Sequence, residues 1–400
     1  MSGARVGVVR RLQLWLIDRL RASRIWPVGL ADKRADTHRL EQALNAEVVV
    51  FFPTGADSLY QLRPWLKAFE TLNETHRVSI VFRDSRAAAV VRRESNLDCL
   101  TIARYGQLDA IFSRSNVKLV LYVNHDPINF ECLRFTSMLH VYVGHGDSDK
   151  GVSVSNQVKA YDYCFLAGQA AIDRTSTSVM AYPAADRSIL IGQPQLDSDV
   201  VATHPDPERK TVLYAPTWEA SQPSVSYGSL ITHGLAIMRA LRGTYRVIYR
   251  PHPLNGVIDS AYGEVDSAVR ALADRVDTDV PLAQSFADAD VLITDVSAVA
   301  LNWLPNTKPL VITKPRVPIP PSRLMETLPL MEAGADFAAI IAEHLSADPT
   351  AAARAELIEY YLGDTTPGVA TTRFVSACTD VIARRDVWWA ARQADGATGP

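Results

Sequence analysis

A chain of 400 residues is too long for one ordinary core and fits two domains of ordinary size. A hydrophobic content of 48% against 21% charged excludes a disordered chain, and no apolar run approaches the roughly 20 residues that span a bilayer. The net charge of -3 is unevenly spread: residues 1–40 hold nine Lys/Arg against three Asp, which leaves -9 for the other 360.

In chain order, the opening MSGARVGVVRRLQLWLIDRL does not read as a signal peptide. Its apolar piece is short, is interrupted by Asp18 and lacks a small-residue cleavage site. Leu12, Leu16 and Leu20 are spaced four apart with Trp15 and Arg19 beside them, which predicts a basic amphipathic helix within a segment 1–45. Two settings produce that pattern: an anionic membrane surface, or the helix's own domain with the arginines in water. A strand-then-helix rhythm follows. Strand-like runs are EVVVFFP (47–53), HRVSIVFR (76–83), VKLVLYVNH (117–125), LHVYVGH (139–145) and YDYCFLAG (161–168), with SLYQLRPWLKAFETL and PINFECLRFTSML as helices between them. After the charged, Pro-rich ATHPDPERK (202–210) come TVLYAPTW (211–218), YRVIYRPHP (245–253), DVLITDVS (290–297) and KPLVIT (308–313). YGSLITHGLAIMRALRG and DSAVRALADRV are the helices of this second series. Continuous apolar strands alternating with helices predict an α/β chain with parallel sheets covered on both faces. The expected organisation is a domain over 46–187, a second over 188–370, and a C-terminal helix and tail over 371–400. Cys99, Cys132, Cys164 and Cys378 are scattered, with no CxxC pair and no His at ligand spacing. That argues against a disulfide framework or zinc site and for a reducing cytoplasm.

Ligands of open α/β sheets sit outside the carboxyl ends of the strands, so residues just after strands carry the interest. Four such ends stand out. In Gly144-His145-Gly146-Asp147-Ser148-Asp149-Lys150 the glycines permit a tight turn, a neutral imidazole accepts a proton near pH 7, and Lys150 suits a phosphate. The alternative is a loop with a solvated His and an ion-paired Lys. In Tyr249-Arg250-Pro251-His252-Pro253 the prolines commit the backbone to leaving the sheet, and Arg and His present donors to an anion. The alternative is a stiff strand exit. Thr294-Asp295-Val296-Ser297 precedes a helix, which reads either as a phosphate cradle or as a plain N-cap. In Tyr214-Ala215-Pro216-Thr217-Trp218-Glu219, Thr217 and Trp218 face either a ligand or the core. No P-loop, GxGxxG, HExxH or GxSxG occurs in a supporting context, and the acidic body argues against nucleic acid.

Taken together and in order, GHGxxxK, YDYCFLAG, GQPQLD, LYAPTW, RPHP, TDVSAV and KPLVI resemble the CDP-glycerol glycerophosphotransferase family of teichoic-acid primases and polymerases. The resemblance spans roughly residues 117–315. It implies a GT-B-like fold: two Rossmann-like doubly wound domains facing across a cleft, the first on the acceptor side and the second binding the CDP-alcohol donor. It also implies catalytic roles for His145, as base, and His252, and substrate-binding roles for Gly146, Lys150, Thr217, Arg250, Asp295 and Ser297. The chain departs from the pattern at Val296, Ala298, Asn302, Glu219 and Gln195, where the family carries Tyr, Ser, Asp, Arg and Arg.

The activity implied is transfer of glycerol phosphate, or a related polyol phosphate, from a CDP-alcohol to a hydroxyl of a lipid-linked or polymeric cell-envelope acceptor, releasing CMP. No cofactor is expected. The partners are the donor, the acceptor and an anionic membrane surface met by the N-terminal segment, which places the protein in the cytoplasm at the inner face of the plasma membrane. The runner-up is a GT-B glycosyltransferase using a nucleotide sugar; a non-catalytic envelope scaffold is a third reading.

Overall fold

Val48-Val49-Val50-Phe51-Phe52 leaves no position for water, and the strand it forms is buried along its whole length. Side chains alternate across a strand, so such a run requires a hydrophobic layer on each side. Val48, Val50 and Phe52 enter one core layer, while Val49 and Phe51 enter the other.

The computed structural model describes Asp36 and residues 39–149, 155–197, 208–219, 228–257, 259–318 and 321–395. The basic helix expected over 1–45 lies outside these, apart from Asp36 and 39–45. The described residues fall into two compact units. Residues 36, 39–146, 155–197 and 363–395 make the first; 147–149, 208–219, 228–257, 259–318 and 321–362 make the second.

The first unit holds β1 (Val48–Phe52), β2 (Val78–Phe82), β3 (Asp98–Thr101), β4 (Leu119–Tyr122), β5 (Leu139–Tyr142), β6 (Tyr163–Leu166) and β7 (Ser188–Leu190). Their order is β3-β2-β1-β4-β5-β6-β7, and every pairing is parallel. Register is pinned at the centre, where Val48 pairs with Val78 on one side and Leu119 on the other. Helices α1 (Leu66–Asn73) and α2 (Ser85–Glu94) cover one face through Leu66, Phe69, Leu72, Ala87 and Val91. The opposite face takes α3 (Tyr105–Phe112) through Leu108, Ile111 and Phe112. The long C-terminal helix Val369–Ala394 joins the first layer with Phe374, Cys378 and Val381.

The second unit holds β8 (Thr211–Ala215), β9 (Arg246–Tyr249), β10 (Arg275–Val276), β11 (Val291–Thr294), β12 (Leu310–Thr313) and β13 (Leu330–Met331), again all parallel, in the order β10-β9-β8-β11-β12-β13. Helices α4 (Leu235–Leu241) and α5 (Ser260–Leu272) bury Ile237, Met238, Leu241, Tyr262 and Val269 against Val212 and Tyr214. In both sheets the first strand is central and the winding direction reverses beside it, between β1 and β4 and between β8 and β11. Those switch points, at the carboxyl ends, are where a doubly wound sheet receives ligands.

Two stretches differ from the sequence expectation. SLYQLRPWLKAFETL is helical only from Leu66; Ala56–Gln61 and Arg63–Trp65 are tight 3-10 turns. Pro64, which has no amide proton, sits in the second of them. PINFECLRFTSML forms a single turn, Asn129–Cys132. The unit boundary also falls after residue 187, because β7 pairs with β6 (Cys164 opposite Ser188) and keeps that segment in the first sheet.

Candidate active site

The first unit's switch point is bordered by Thr54 after β1, Asn124 and His125 after β4, and His145 after β5. Gly144 has φ +65, a left-handed conformation costly to any residue with a Cβ, and it turns the chain sharply out of β5. Trp65 fixes that turn: its Nε1–H donates to the Gly144 carbonyl at 2.6 Å while its ring stacks on Phe69 at 5.5 Å. His145 follows, with Nδ1 3.2 Å from the Val123 carbonyl and Tyr60 edge-on at 6.1 Å. A carbonyl only accepts, so Nδ1 carries the proton and Nε2 keeps its lone pair. The side chain is exposed, yet the protein around the ring lowers its pKa, against the Val123 carbonyl, which raises it. The lowering favours the neutral ring at pH 7. Gly146 is exposed, and Lys150 lies outside the described residues.

His125 was not singled out from the sequence, where it reads as the tail of a strand. Its ring lies flat on Tyr142, with centroids 3.9 Å apart and planes 9° apart. Burial, and then the nearby His145, depress its pKa to about 4. Beside it Asn124 donates from Nδ2 to Gln61 Oε1 at 2.8 Å, and Gln61 in turn donates to the Tyr60 hydroxyl at 3.2 Å. The available signal was positional: NHD directly follows a central strand, where ligands are expected.

In the second unit Asp295 is fully buried at the end of β11. Its carboxylate accepts the Thr217 N–H at 2.7 Å, the Ser229 N–H at 3.2 Å and the Thr313 hydroxyl. Burial raises its pKa, and those hydrogen bonds oppose the rise. Asp295 is thus a brace that ties the carboxyl ends of β8, β11 and β12 together. Thr217 is held within this frame. Ser297 precedes the six-residue helix α6 (Ala298–Trp303) in an extended conformation, and its side chain makes no cap hydrogen bond. The Oγ is buried and has no hydrogen-bond partner. The plain N-cap reading of Ser297 therefore fails.

After β9, Arg250 turns toward the protein, with Nη1 donating to the Val280 carbonyl at 2.7 Å and Ser285 Oγ at 2.9 Å. Burial lowers its pKa, and Asp277 opposes that. His252 stacks on Trp218 at 5.7 Å, and its Nδ1 accepts the Leu254 N–H at 3.2 Å, which leaves the proton of the neutral ring on Nε2. The structure therefore gathers Thr217, His252, Asp295 and Ser297 around the ends of β8 and β11, while Arg250 bonds sideways. Of the departures from the family pattern, Glu219 is 3% exposed and accepts the Asp259 N–H at 3.4 Å. Val296 is fully buried in the core. Asp149 accepts the Tyr361 hydroxyl at 2.5 Å.

Two successive Rossmann-like units, each with polar groups at the switch point of a parallel sheet, make a fold of the GT-B kind. Residues 139–317 match the family described as CDP-Glycerol:Poly(glycerophosphate) glycerophosphotransferase. The resemblance drawn from the motifs holds over that segment, which is just under half of the chain. No curated protein matches the chain. Among solved structures, the wall teichoic acid polymerase TagF is 14% identical, with a TM-score of 0.58 over 95% of this chain and 97% of that one. A putative UDP-N-acetylglucosamine 2-epimerase from Listeria monocytogenes is 13% identical, with a TM-score of 0.58 over 84% and 96%. MnaA of S. aureus, solved with UDP, is 14% identical, with a TM-score of 0.54 over 82% and 95%. At these identities the likeness is one of fold.

Proposed function

We propose that the protein transfers glycerol phosphate, or a related polyol phosphate, from a CDP-alcohol to a hydroxyl of a lipid-linked or polymeric cell-envelope acceptor. The observation that carries this reading is the hydrogen bond from His145 Nδ1 to the Val123 carbonyl, which leaves Nε2 as a proton acceptor next to an exposed surface. His145 Nε2 takes the proton of the acceptor hydroxyl as its oxygen forms a bond to the β-phosphorus of the donor. The bond from that phosphorus to the bridging oxygen breaks, and CMP leaves with the electron pair. A positioned base contributes about 10²–10⁴-fold to such a step. Donors aimed at the phosphate oxygens supply a further large share. His252 through Nε2–H, the Ser297 hydroxyl and Lys150 are suited to that role. Asp295 and Thr217 hold the frame, and Arg250 adds positive charge beside it. One form of the TagF polymerase was soaked with CDPG, which accords with a CDP-alcohol donor here.

The acceptor's lipid end gives meaning to the basic N-terminal segment, read here as a surface anchor at the inner leaflet. Val387 and Trp388 on the C-terminal helix, 67% and 53% exposed, add apolar surface near Arg384, Arg385 and Arg392. Among the described residues no helix is long and apolar enough to cross a membrane. The test is CMP release from CDP-glycerol and CDP-ribitol, with and without a membrane-lipid extract, by the wild type and His145→Ala. Acceptor-dependent release that the variant loses is the expected result. Turnover of UDP- or GDP-sugars with none of CDP-alcohols would replace this reading by a sugar transferase.

A further inference from the structure

The end of β4 carries two polar atoms that the protein leaves unanswered. Asn124 is only 6% exposed, and its Oδ1 is buried without a hydrogen-bond partner. The adjoining His125 has a buried Nδ1 in the same condition. A buried polar atom left unpaired costs roughly 1–3 kcal/mol, so two on successive residues at a ligand-receiving edge point to a ligand that pairs them. The neighbours explain what kind. The Asn124 amide N–H groups are directed to Gln61 Oε1 at 2.8 Å and Thr54 Oγ1 at 3.4 Å, and the His145 Nδ1 proton to the Val123 carbonyl. What remains is mostly lone pairs: Asn124 Oδ1, His145 Nε2 and one nitrogen of His125. None of these residues carries a charge at neutral pH, since His125 sits near a pKa of about 4. Such a set answers hydroxyl donors and offers an anion no charge and a single N–H, that of His125.

We propose that Asn124 and His125 form the subsite that selects the acceptor, pairing with the hydroxyl next to the one that His145 deprotonates and so favouring a neutral vicinal polyol terminus over a phosphate-bearing one. This rests on the transferase reading for its role, but not for its binding chemistry. Tyr142 holds the His125 ring by stacking, and the Asn124-Gln61-Tyr60 chain of hydrogen bonds holds the amide. Both are specificity-determining positions; the proton transfer stays with His145.

The experiment follows the imidazole ¹⁵N signals of His125 and His145 in the full chain during titration with glycerol and, separately, inorganic phosphate. Glycerol is expected to shift both rings saturably, and phosphate neither. His125→Phe, which keeps the stack on Tyr142, is expected to weaken glycerol binding reported by His145 at least tenfold, and His125→Asn to recover part of it. In turnover with a polyol-ended acceptor, His125→Phe raises the acceptor KM by the same factor while the donor KM stays within twofold. Shifts caused by phosphate and not glycerol, or an unchanged glycerol titration in His125→Phe, would overturn the proposal. Glycerol binding without CMP release from any CDP-alcohol would sink the transferase reading and leave the polyol subsite standing.

Discussion

The two sheets share one winding order and differ in how their switch points are finished. In the second, Asp295 is surrounded by donors and locks three strand ends into a closed frame. In the first, the corresponding edge is left open: Asn124 and His125 keep unpaired atoms, and His145 rests on one carbonyl with its other nitrogen unused there. Rigid framing suits a site that must hold a large charged donor still. An open edge of neutral acceptors suits a site that must take a hydroxyl and its proton.

If that contrast is right, removing the base should have the largest effect and little structural cost, because His145 is exposed. His145→Ala is expected to lower kcat/KM by about 10²–10⁴-fold with an unchanged urea midpoint. Asp295→Ala should do the opposite. It strands the Thr217 and Ser229 N–H groups and the Thr313 hydroxyl in the core, for a loss of about 3–5 kcal/mol in urea unfolding of the second unit. A loss below about 1 kcal/mol would mean that Asp295 is no brace.

The pH response sharpens the contrast further. His125 sits at about 4 in the folded protein against an ordinary 6.5, so the unfolded chain binds its proton first. Its contribution to stability is complete above pH 6.5 and is lost as pH falls toward 4, by up to about 3 kcal/mol. Parallel urea titrations of the wild type and His125→Phe should diverge only in that window. The smallest effect is expected from Ser297→Ala. Its Oγ makes no hydrogen bond, so stability should move by less than about 0.5 kcal/mol, while the donor KM rises about tenfold if that hydroxyl meets phosphate.

How much of this was legible in the sequence depends on where the information resides. The nine strands read from apolar runs are all present, because a strand buried on both faces must be apolar throughout. The strands not read are β3, β7, β10 and β13, of four, three, two and two residues. All four are edge strands: β7, β10 and β13 are too short for a pattern to form, and β3 opens on the exposed Asp98, which interrupts its apolar run. Ser297 and His145 stood out in the sequence because motif and strand end coincide. The bracing role of Asp295 was not, because its donors lie 78, 66 and 18 residues away in the chain. His125 was missed because an apolar run that ends in a histidine looks like a strand ending, and only the stack on Tyr142 and the unpaired Nδ1 mark it out.

The anchoring of Trp65 has a consequence for how the chain is made. Its ring is wedged against Phe374 of the C-terminal helix at 5.4 Å, and the same indole steadies the turn that presents His145. The core around the first-translated sheet thus lacks one wall until the helix Val369–Ala394 has been made. The second unit, whose described strands and helices end by residue 362, needs no such wait. Synthesis order and folding order are therefore reversed: the half that is translated first finishes last. A nascent chain that lacks the C-terminal helix leaves the aromatic pair Trp65 and Phe69 uncovered beside the turn that carries His145.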